Sequence, residues 1–375
     1  MRVFYAHSDD WISTSPGVTF MTMTGLGLAH AGAETHLVVP GISPGVTGDL
    51  LRSHFAEDQP PRLHIHRLTS AHRTFLAAAV ACIGSMATST DVVITRSLSL
   101  LPGLLKLRGR LGFRCYFESH DCYFAPWQRD DVSLWTKWKP MLRERWHLPR
   151  VDGVICLRQT QADIYRKHLG SGIPIHVVPT GFTTMIPSVR SWSPSPVLAY
   201  LGSLNSHKGL DNVARLAAAY PEARVLIIGG KQDNEITATR SLLADRGCSP
   251  DRLRITGWID KHRMAQELAT AHWGICPLQD TYFNRYLTSP VKIHDYFATG
   301  LPVVTSDLPC LLELVKDGQE GLIVDWKHPQ RIAARMSSLG ASAYAQMCEN
   351  AHMRAAAWTW TDRGRALIAA CSVHA

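Results

Sequence analysis

The chain has 375 residues, of which 46% are hydrophobic and 19% charged, and its formal net charge is +8. That composition excludes a disordered chain, and the length exceeds one ordinary core, so two domains of about 150–200 residues are expected. Its 9 cysteines are scattered without a C-x-x-C pair, which argues against a disulfide framework or a zinc cluster and fits a reducing compartment. No apolar run reaches about 18 residues, and the N-terminus opens as an apolar strand with no basic leader. The expectation is a cytoplasmic protein with neither a membrane span nor a secretory signal.

Short apolar segments alternate with longer helical patterns along almost the whole chain. In the first half the strand segments are Val3–Ala6, Thr35–Val39, Leu63–Leu68, Val92–Thr95, Arg114–Glu118, Gly153–Cys156 and His176–Val178. Helical patterns over 18–32, 72–88 and 159–169 lie among them. Within 96–167 there are 14 Lys/Arg against 7 Asp/Glu, and Trp127, Trp135, Trp138 and Trp146 are interleaved. Across 106–146, cations such as Arg108, Arg110, Lys137, Lys139, Arg143 and Arg145 would suit anionic headgroups, with the indoles at a membrane interface. A solvated basic surface over a tryptophan-containing core fits the same composition. No nucleic-acid motif accompanies the charge, so nucleic acid is not an expected partner.

The Pro- and Ser-rich stretch 187–196 is the strongest boundary signal, dividing a domain over 1–186 from one over 197–356. Strand segments resume with Val197–Leu201, Arg224–Ile228, Leu253–Thr256, Gly274–Pro277, Pro302–Thr305 and Gly321–Val324, again with helical patterns between them. Strands separated by helices imply the α/β class, with one doubly wound, parallel, Rossmann-like sheet per half. Ligands then bind at the carboxyl ends of the strands, where the two domains would face one another across a cleft. A last amphipathic helix, about 357–375, has no strand after it and is expected to return to the first domain.

The densest signal is S-P-V-K-I-H-D-Y-F-A-T-G-L-P-V-V-T-S over 289–306. Ser289 reads as an N-cap and Pro290 as the first helical residue, followed by Val291 and Lys292 in the first turn. Ile293, Tyr296 and Phe297 mark an apolar face, and Gly300 stops the helix before a buried strand. A helix start presents backbone N–H groups and a positive dipole end, which suit a phosphate; Lys292 adds a full charge. Asp295 is placed to meet hydroxyls of whatever carries that phosphate. An amphipathic helix with a solvated Lys and Asp is the plainer reading of the same residues.

Seven segments together resemble the two-domain GT-B glycosyltransferases of the large retaining family 4. Y-F-E-S-H-D (116–121), V-D-G-V-I-C-L (151–157) and V-V-P-T-G-F (177–182) lie in the first half. Y-L-G-S-L-N-S-H-K-G-L-D (200–211), V-L-I-I-G-G (225–230), I-T-G-W-I (255–259), and G-I-C-P-L (274–278) with the 289–306 segment follow in order. The resemblance covers nearly the whole chain and implies transfer of a sugar from a nucleotide-diphosphate sugar, UDP- or GDP-linked, to an acceptor hydroxyl with retention. The acceptor would be a saccharide, a glycolipid or a small molecule. No cofactor beyond the donor and no metal would be needed; D-D occurs at 9–10 and 130–131 without a third ligand.

The resemblance also implies roles for individual residues. Gly202, Ser203 and Lys208 follow the first strand of the nucleotide domain; Lys208 and the helix start at Ser289, Pro290, Val291 and Lys292 would hold the pyrophosphate, and Asp295 the ribose. Lys208 would stabilise the charge on the leaving group, and His120 would hydrogen-bond the transferred sugar with Asp121 setting its tautomer. Gly17 would meet phosphate or acceptor, and Asp9 and Asp10 would either act on the acceptor hydroxyl or form a turn. No enzyme nucleophile is implied, because the departing phosphate oxygen takes the acceptor proton, and domain closure completes the site. Two positions depart from the family: Ser203 replaces an arginine, with Lys292 or Arg285 to compensate, and Leu287 replaces a carboxylate near the sugar. Those departures keep open a catalytically degenerate binding or scaffold subunit. Within catalysis, a GT-B sugar-nucleotide epimerase or a phosphorylase is the next reading.

Overall fold

The computed structural model describes residues 1–375 except 12, 14, 42–44, 70, 71, 131, 132, 184, 186, 205–208 and 373–375, and the side chains of 72, 73 and 134. The chain forms two compact units. Unit 1 comprises Met1–Gly181, Thr281–Ser289 and Trp358–Ala375; unit 2 comprises Phe182–Asp280 and Pro290–Ala357.

In unit 1 the elements run β1 (Arg2–Ala6), α1 (Pro16–His30), β2 (Glu34–Pro40), α2 (Thr47–Phe55), β3 (Leu63–Leu68), α3 (His72–Gly84), β4 (Val92–Thr95) and α4 (Leu101–Leu111). They continue with β5 (Arg114–Ser119), α5 (Leu134–His147), β6 (Gly153–Cys156), α6 (Gln159–Leu169) and β7 (Ile175–Val177). Unit 2 carries β8 (Val197–Leu201), α7 (Leu210–Ala219), β9 (Arg224–Ile228), α8 (Asp233–Asp245), β10 (Leu253–Ile255), α9 (Lys261–Ala269) and β11 (Trp273–Cys276). Helix α10 (Tyr282–Tyr286) belongs to unit 1, and the chain then resumes unit 2 with α11 (Val291–Ala298), β12 (Val303–Ser306), α12 (Pro309–Leu312) and β13 (Gly321–Val324). Helices α13 (Pro329–Ser337) and α14 (Ala341–Ala356) complete unit 2, and α15 (Trp360–Ser372) returns to unit 1.

Among the described residues, both sheets are parallel throughout. Their strand orders are β3-β2-β1-β4-β5-β6-β7 and β10-β9-β8-β11-β12-β13. Each order reverses once, between β1 and β4 and between β8 and β11, and the carboxyl ends of those strands frame a crevice. Central strands bury both faces, as parallel sheets under helices require. Phe4 and Ala6 join one core with α3, α4 and α6, whereas Val3 and Tyr5 join the opposite core with α1, α2 and α15. None of the nine cysteines forms a disulfide and seven are buried, so they fill cores instead of stapling loops.

Helices α1 and α15 approach at backbone distance. A Cβ on Gly27 would fall 2.0 Å from the Trp360 carbonyl oxygen, and one on Gly364 would fall 2.2 Å from that of Gly27. Their closeness brings Arg363 into the centre of unit 1, where it is fully buried. Its guanidinium donates to Glu118 Oε1, to the Val178 carbonyl, to the Pro179 carbonyl at 2.7 Å and to Thr24 Oγ1 at 3.3 Å. Burial pushes the Glu118 carboxyl up, but the Arg363 charge overrides this and, with His120 and Tyr5, holds it down at about 2. Because that value lies below the unfolded 4.5, the stabilisation is fully present above about pH 4.5 and is lost as pH falls towards 2. Arg363→Ala strands a buried carboxylate, so it is expected to cost about 3–5 kcal/mol, read as a lower urea midpoint. The double variant Arg363→Met/Glu118→Leu should recover much of that loss.

Candidate functional site

In unit 2 the crevice between β8 and β11 is shaped by glycines. Gly202 adopts φ +132°, and its N–H donates to the Ile228 carbonyl at 3.0 Å. A Cβ on Gly229 would fall 1.9 Å from the Gly202 carbonyl oxygen, so the ends of β8 and β9 meet backbone to backbone. Gly209, at φ +81°, starts α7 against the Pro277 carbonyl. The segment 205–208 between these glycines, including Lys208, lies outside the described residues. Ser203 is exposed, and its carbonyl accepts from the Tyr200 hydroxyl at 2.9 Å.

Helix α11 is pinned into the same crevice by Tyr296. Its hydroxyl accepts from the Leu201 N–H at 2.9 Å and donates to the Ala199 carbonyl at 3.1 Å. The ring occupies the space a Cβ on Gly274 would need. The N-cap is Pro290, one residue later than the sequence suggests, and no side chain caps the first turn at Val291 and Lys292. Ser289 instead lies in unit 1, accepting from Arg158 at 3.0 Å and sharing a hydrogen bond with Thr180 Oγ1 at 2.9 Å. Its hydroxyl is engaged before it can cap the helix.

Lys292 lies in that first turn. Its Nζ sits 4.0 Å from the centre of the Tyr200 ring and 3.6 Å from where a Gly202 Cβ would be. Of the two cations expected to compensate for Ser203, it is Lys292 that stands at Gly202; Arg285 lies on α10 with unit 1. Asp295 follows, half-buried, and desolvation pushes its carboxyl up to about 6 against the opposing charge of Lys261. Lys261, which donates to Thr183 Oγ1 at 3.2 Å, carries no sequence signal, since a Lys opening a helix is ordinary. Trp258, 58% exposed after the carboxyl end of β10, has no signal of its own beyond its place in I-T-G-W-I.

In unit 1 Gly17 and His120 are brought together by two residues that sequence reasoning missed. Arg96, directly after β4, donates to the Gly17 carbonyl at 2.7 Å and lies 5.3 Å over the Phe20 ring. Phe20 meets His120 edge-on with centroids 4.4 Å apart, and Arg363 lies over its ring at 4.7 Å. Burial and the Arg96 charge push the His120 imidazole down to about 3, so it is neutral at physiological pH. Its Nε2 is 3.7 Å from Glu118 Oε2, beyond hydrogen-bond length, and that nitrogen has no hydrogen-bond partner among the described residues. Asp121 does not orient it: Oδ1 of Asp121 accepts from Arg129 and from the Cys122 N–H at 2.8 Å. The position of Arg96, at the carboxyl end of a strand beside the β1/β4 reversal, was the signal that would have found it.

Asp9 and Asp10 sit in the loop after β1. Asp9 Oδ2 is 3.2 Å from His7 Nε2, and Asp10 closes a backbone turn to Ser13 at 2.9 Å. Leu287 is buried in the core of unit 1. Its side chain serves packing there. A metal-sized group of ligands, Glu34, His36 and His64, occurs on β2 and β3, three strands or more from β5 in the sheet.

The profile of a family described as Glycosyltransferase Family 4 matches residues 17–185, and that of Glycosyl transferases group 1 matches residues 195–342. The chain belongs to these GT-B glycosyltransferases. Direct sequence comparison with curated proteins finds no match. Among solved structures, it is similar to sucrose-phosphate synthase (tll1590) from Thermosynechococcus elongatus, with TM-score 0.77 and 16% identity over 99% of this chain and 100% of that one. It is similar to Anabaena Alr3699/HepE in complex with UDP and glucose, with TM-score 0.70 and 15% identity over 98% of both chains. It is also similar to the lipopolysaccharide outer core galactosyltransferase WaaB in its apo form, with TM-score 0.63 and 14% identity over 99% of both. At these identities the likeness is one of fold.

The raised Asp295 carboxyl has a measurable sign. With a folded value of about 6 above the unfolded 3.8, the folded state binds more protons between them, so stability falls as pH rises through that window. Asp295→Asn removes the penalty. It is expected to be more stable than the parent by on the order of 1–2 kcal/mol at about pH 8, the gap closing towards about pH 4 in thermal melts.

Proposed function

We propose that the protein transfers a sugar from a nucleotide-diphosphate sugar, with UDP the favoured nucleotide, to a hydroxyl of a saccharide or glycolipid, with retention at the anomeric carbon. The single observation that carries this reading is Lys292, a cation held over Tyr200 beside Gly202, in the uncapped first turn of α11, at the reversal of the unit 2 sheet. Backbone N–H groups and a lysine at a helix start suit a diphosphate and stabilise the charge that grows on it as the sugar–oxygen bond breaks. Lys208 adds a second cation in this reading, so the reaction needs no metal. Asp295 accepts from the ribose hydroxyls, which replace the water it lacks. UDP is favoured because the HepE structure of the same fold holds UDP and glucose.

Unit 1 supplies His120. As a neutral imidazole it hydrogen-bonds the transferred sugar, while burial and the Arg96 charge keep it from taking up a proton. The acceptor proton passes to the departing phosphate oxygen, so the side chains position and stabilise; none forms a bond to the sugar.

A panel of UDP- and GDP-sugars is the test. A UDP-sugar is expected to raise the melting temperature, because a ligand that binds only the folded state stabilises it, and to be hydrolysed slowly without acceptor. Lys292→Ala should lower turnover about 100-fold. Activity should show no limb from His120 between about pH 5 and 8, since that group titrates near 3. A donor that binds yet is never turned over with any acceptor would make the protein a binding subunit instead.

A further inference from the structure

Helix α5 is inside out. Its inward face carries Lys137, Met141 and Glu144, at 3%, 4% and 0% exposure. Its outward face carries Trp135, Trp138, Leu142 and Trp146, at 90%, 53%, 59% and 65%. Those outward residues recur at spacings of three and four, so they form one line along the helix. Trp127, 65% exposed, precedes it in a short turn.

The inward polar groups are satisfied in place. Glu144 accepts from the Tyr123 N–H at 2.7 Å and the Tyr165 hydroxyl at 3.2 Å, and Lys137 donates to the Arg129 carbonyl. The helix is therefore held by specific hydrogen bonds in the orientation that turns its indoles outward; it has not rolled to bury them. A line of four large apolar side chains is costly against water, and such patches mark binding surfaces.

Charge identifies the occupant. The exposed charged residues of this helix and the turn after it are Lys139, Arg143, Arg145 and Arg150, all cations; its one acid, Glu144, is buried. Arg150 stacks over Trp146 at 4.5 Å, and Arg108 of α4 donates to its carbonyl, so the exposed Lys106 and Arg110 of α4 extend the same basic flank. A second copy of this face would set cations against cations. Nucleic acid would meet an apolar ridge, with Leu142 at its middle, before it met the charges. An apolar ridge flanked by cations matches a helix lying in a bilayer interface, with rings at the acyl boundary and cations among the phosphates.

We propose that α5 is a membrane-docking helix that seats unit 1 on an anionic phospholipid surface. No helix among the described residues is long and apolar enough to cross a membrane, so the contact is peripheral. The inference does not depend on the donor chemistry and is read without it. The full chain is co-sedimented with vesicles of phosphatidylcholine alone and of phosphatidylcholine mixed with phosphatidylglycerol. It should pellet with the mixed vesicles and remain largely in solution with the neutral ones, with binding weakened by salt. Trp135→Ser/Trp138→Ser should lower partitioning at least about tenfold, and Lys139→Glu/Arg143→Glu should abolish the preference for anionic lipid. Because Trp135 and Trp138 face solvent, the first variant should keep the parental melting temperature. The proposal is overturned if the parent ignores both vesicle types, or if the tryptophan variant instead turns a dimer into a monomer in light scattering. Equal binding by parent and variants, or loss of vesicle binding to a competing oligonucleotide, overturns it as well.

Discussion

Unit 1 depends on one buried ion pair. Arg363 and Glu118 are both wholly removed from water, and neither is tolerable there alone. Together they join the last helix, the carboxyl end of β5 and the backbone at Val178 and Pro179, three places far apart in sequence. Tyr5 donates to the same carboxylate from β1, so the pair also touches the centre of the sheet. The position of His120 follows from this. It sits two residues beyond Glu118, between Phe20 and the field of Arg96 and Arg363, and its neutrality is a product of that electrostatic setting.

Unit 2 solves a similar problem with a neutral group. Tyr296 uses one hydroxyl to tie α11 to the ends of β8 and β11, and its ring fills the place left by Gly274. The start of α11 is thereby fixed at the sheet reversal, with Lys292 and Asp295 on rigid supports. Asp295 retains an unfavourable ionisation there, which is the kind of local cost that binding sites carry.

The architecture was legible because its determinants are local and repeated. Apolar strands such as Val92–Thr95 and Gly321–Val324, spaced by helical patterns, allow little besides two parallel sheets. The placement of Lys292 and Asp295 on one helix was legible through the helix-start pattern, and the turn at Gly202 through its loop. What was not legible depends on side-chain direction and tertiary partners. Ser289 reads as a cap until Arg158 and Thr180 engage its hydroxyl. Asp121 reads as the partner of His120 until Arg129 takes it. Arg96 and Arg363 are ordinary arginines in sequence, and only the fold sets them around Phe20. For the tryptophans of α5, composition left both core and interface open, the core being the plainer reading; the buried Glu144 and Lys137 decided the side on which they face.

The return of α15 to unit 1 has a consequence for biosynthesis. The counter-ion for Glu118 lies 245 residues further along the chain, so it leaves the ribosome long after the strand that needs it. Unit 2, whose segments are all synthesised earlier, can close while Glu118 still awaits its partner. Of the two units, the one begun first is therefore completed second, and a nascent chain stalled before Arg363 would carry an unclosed first unit and a folded second one.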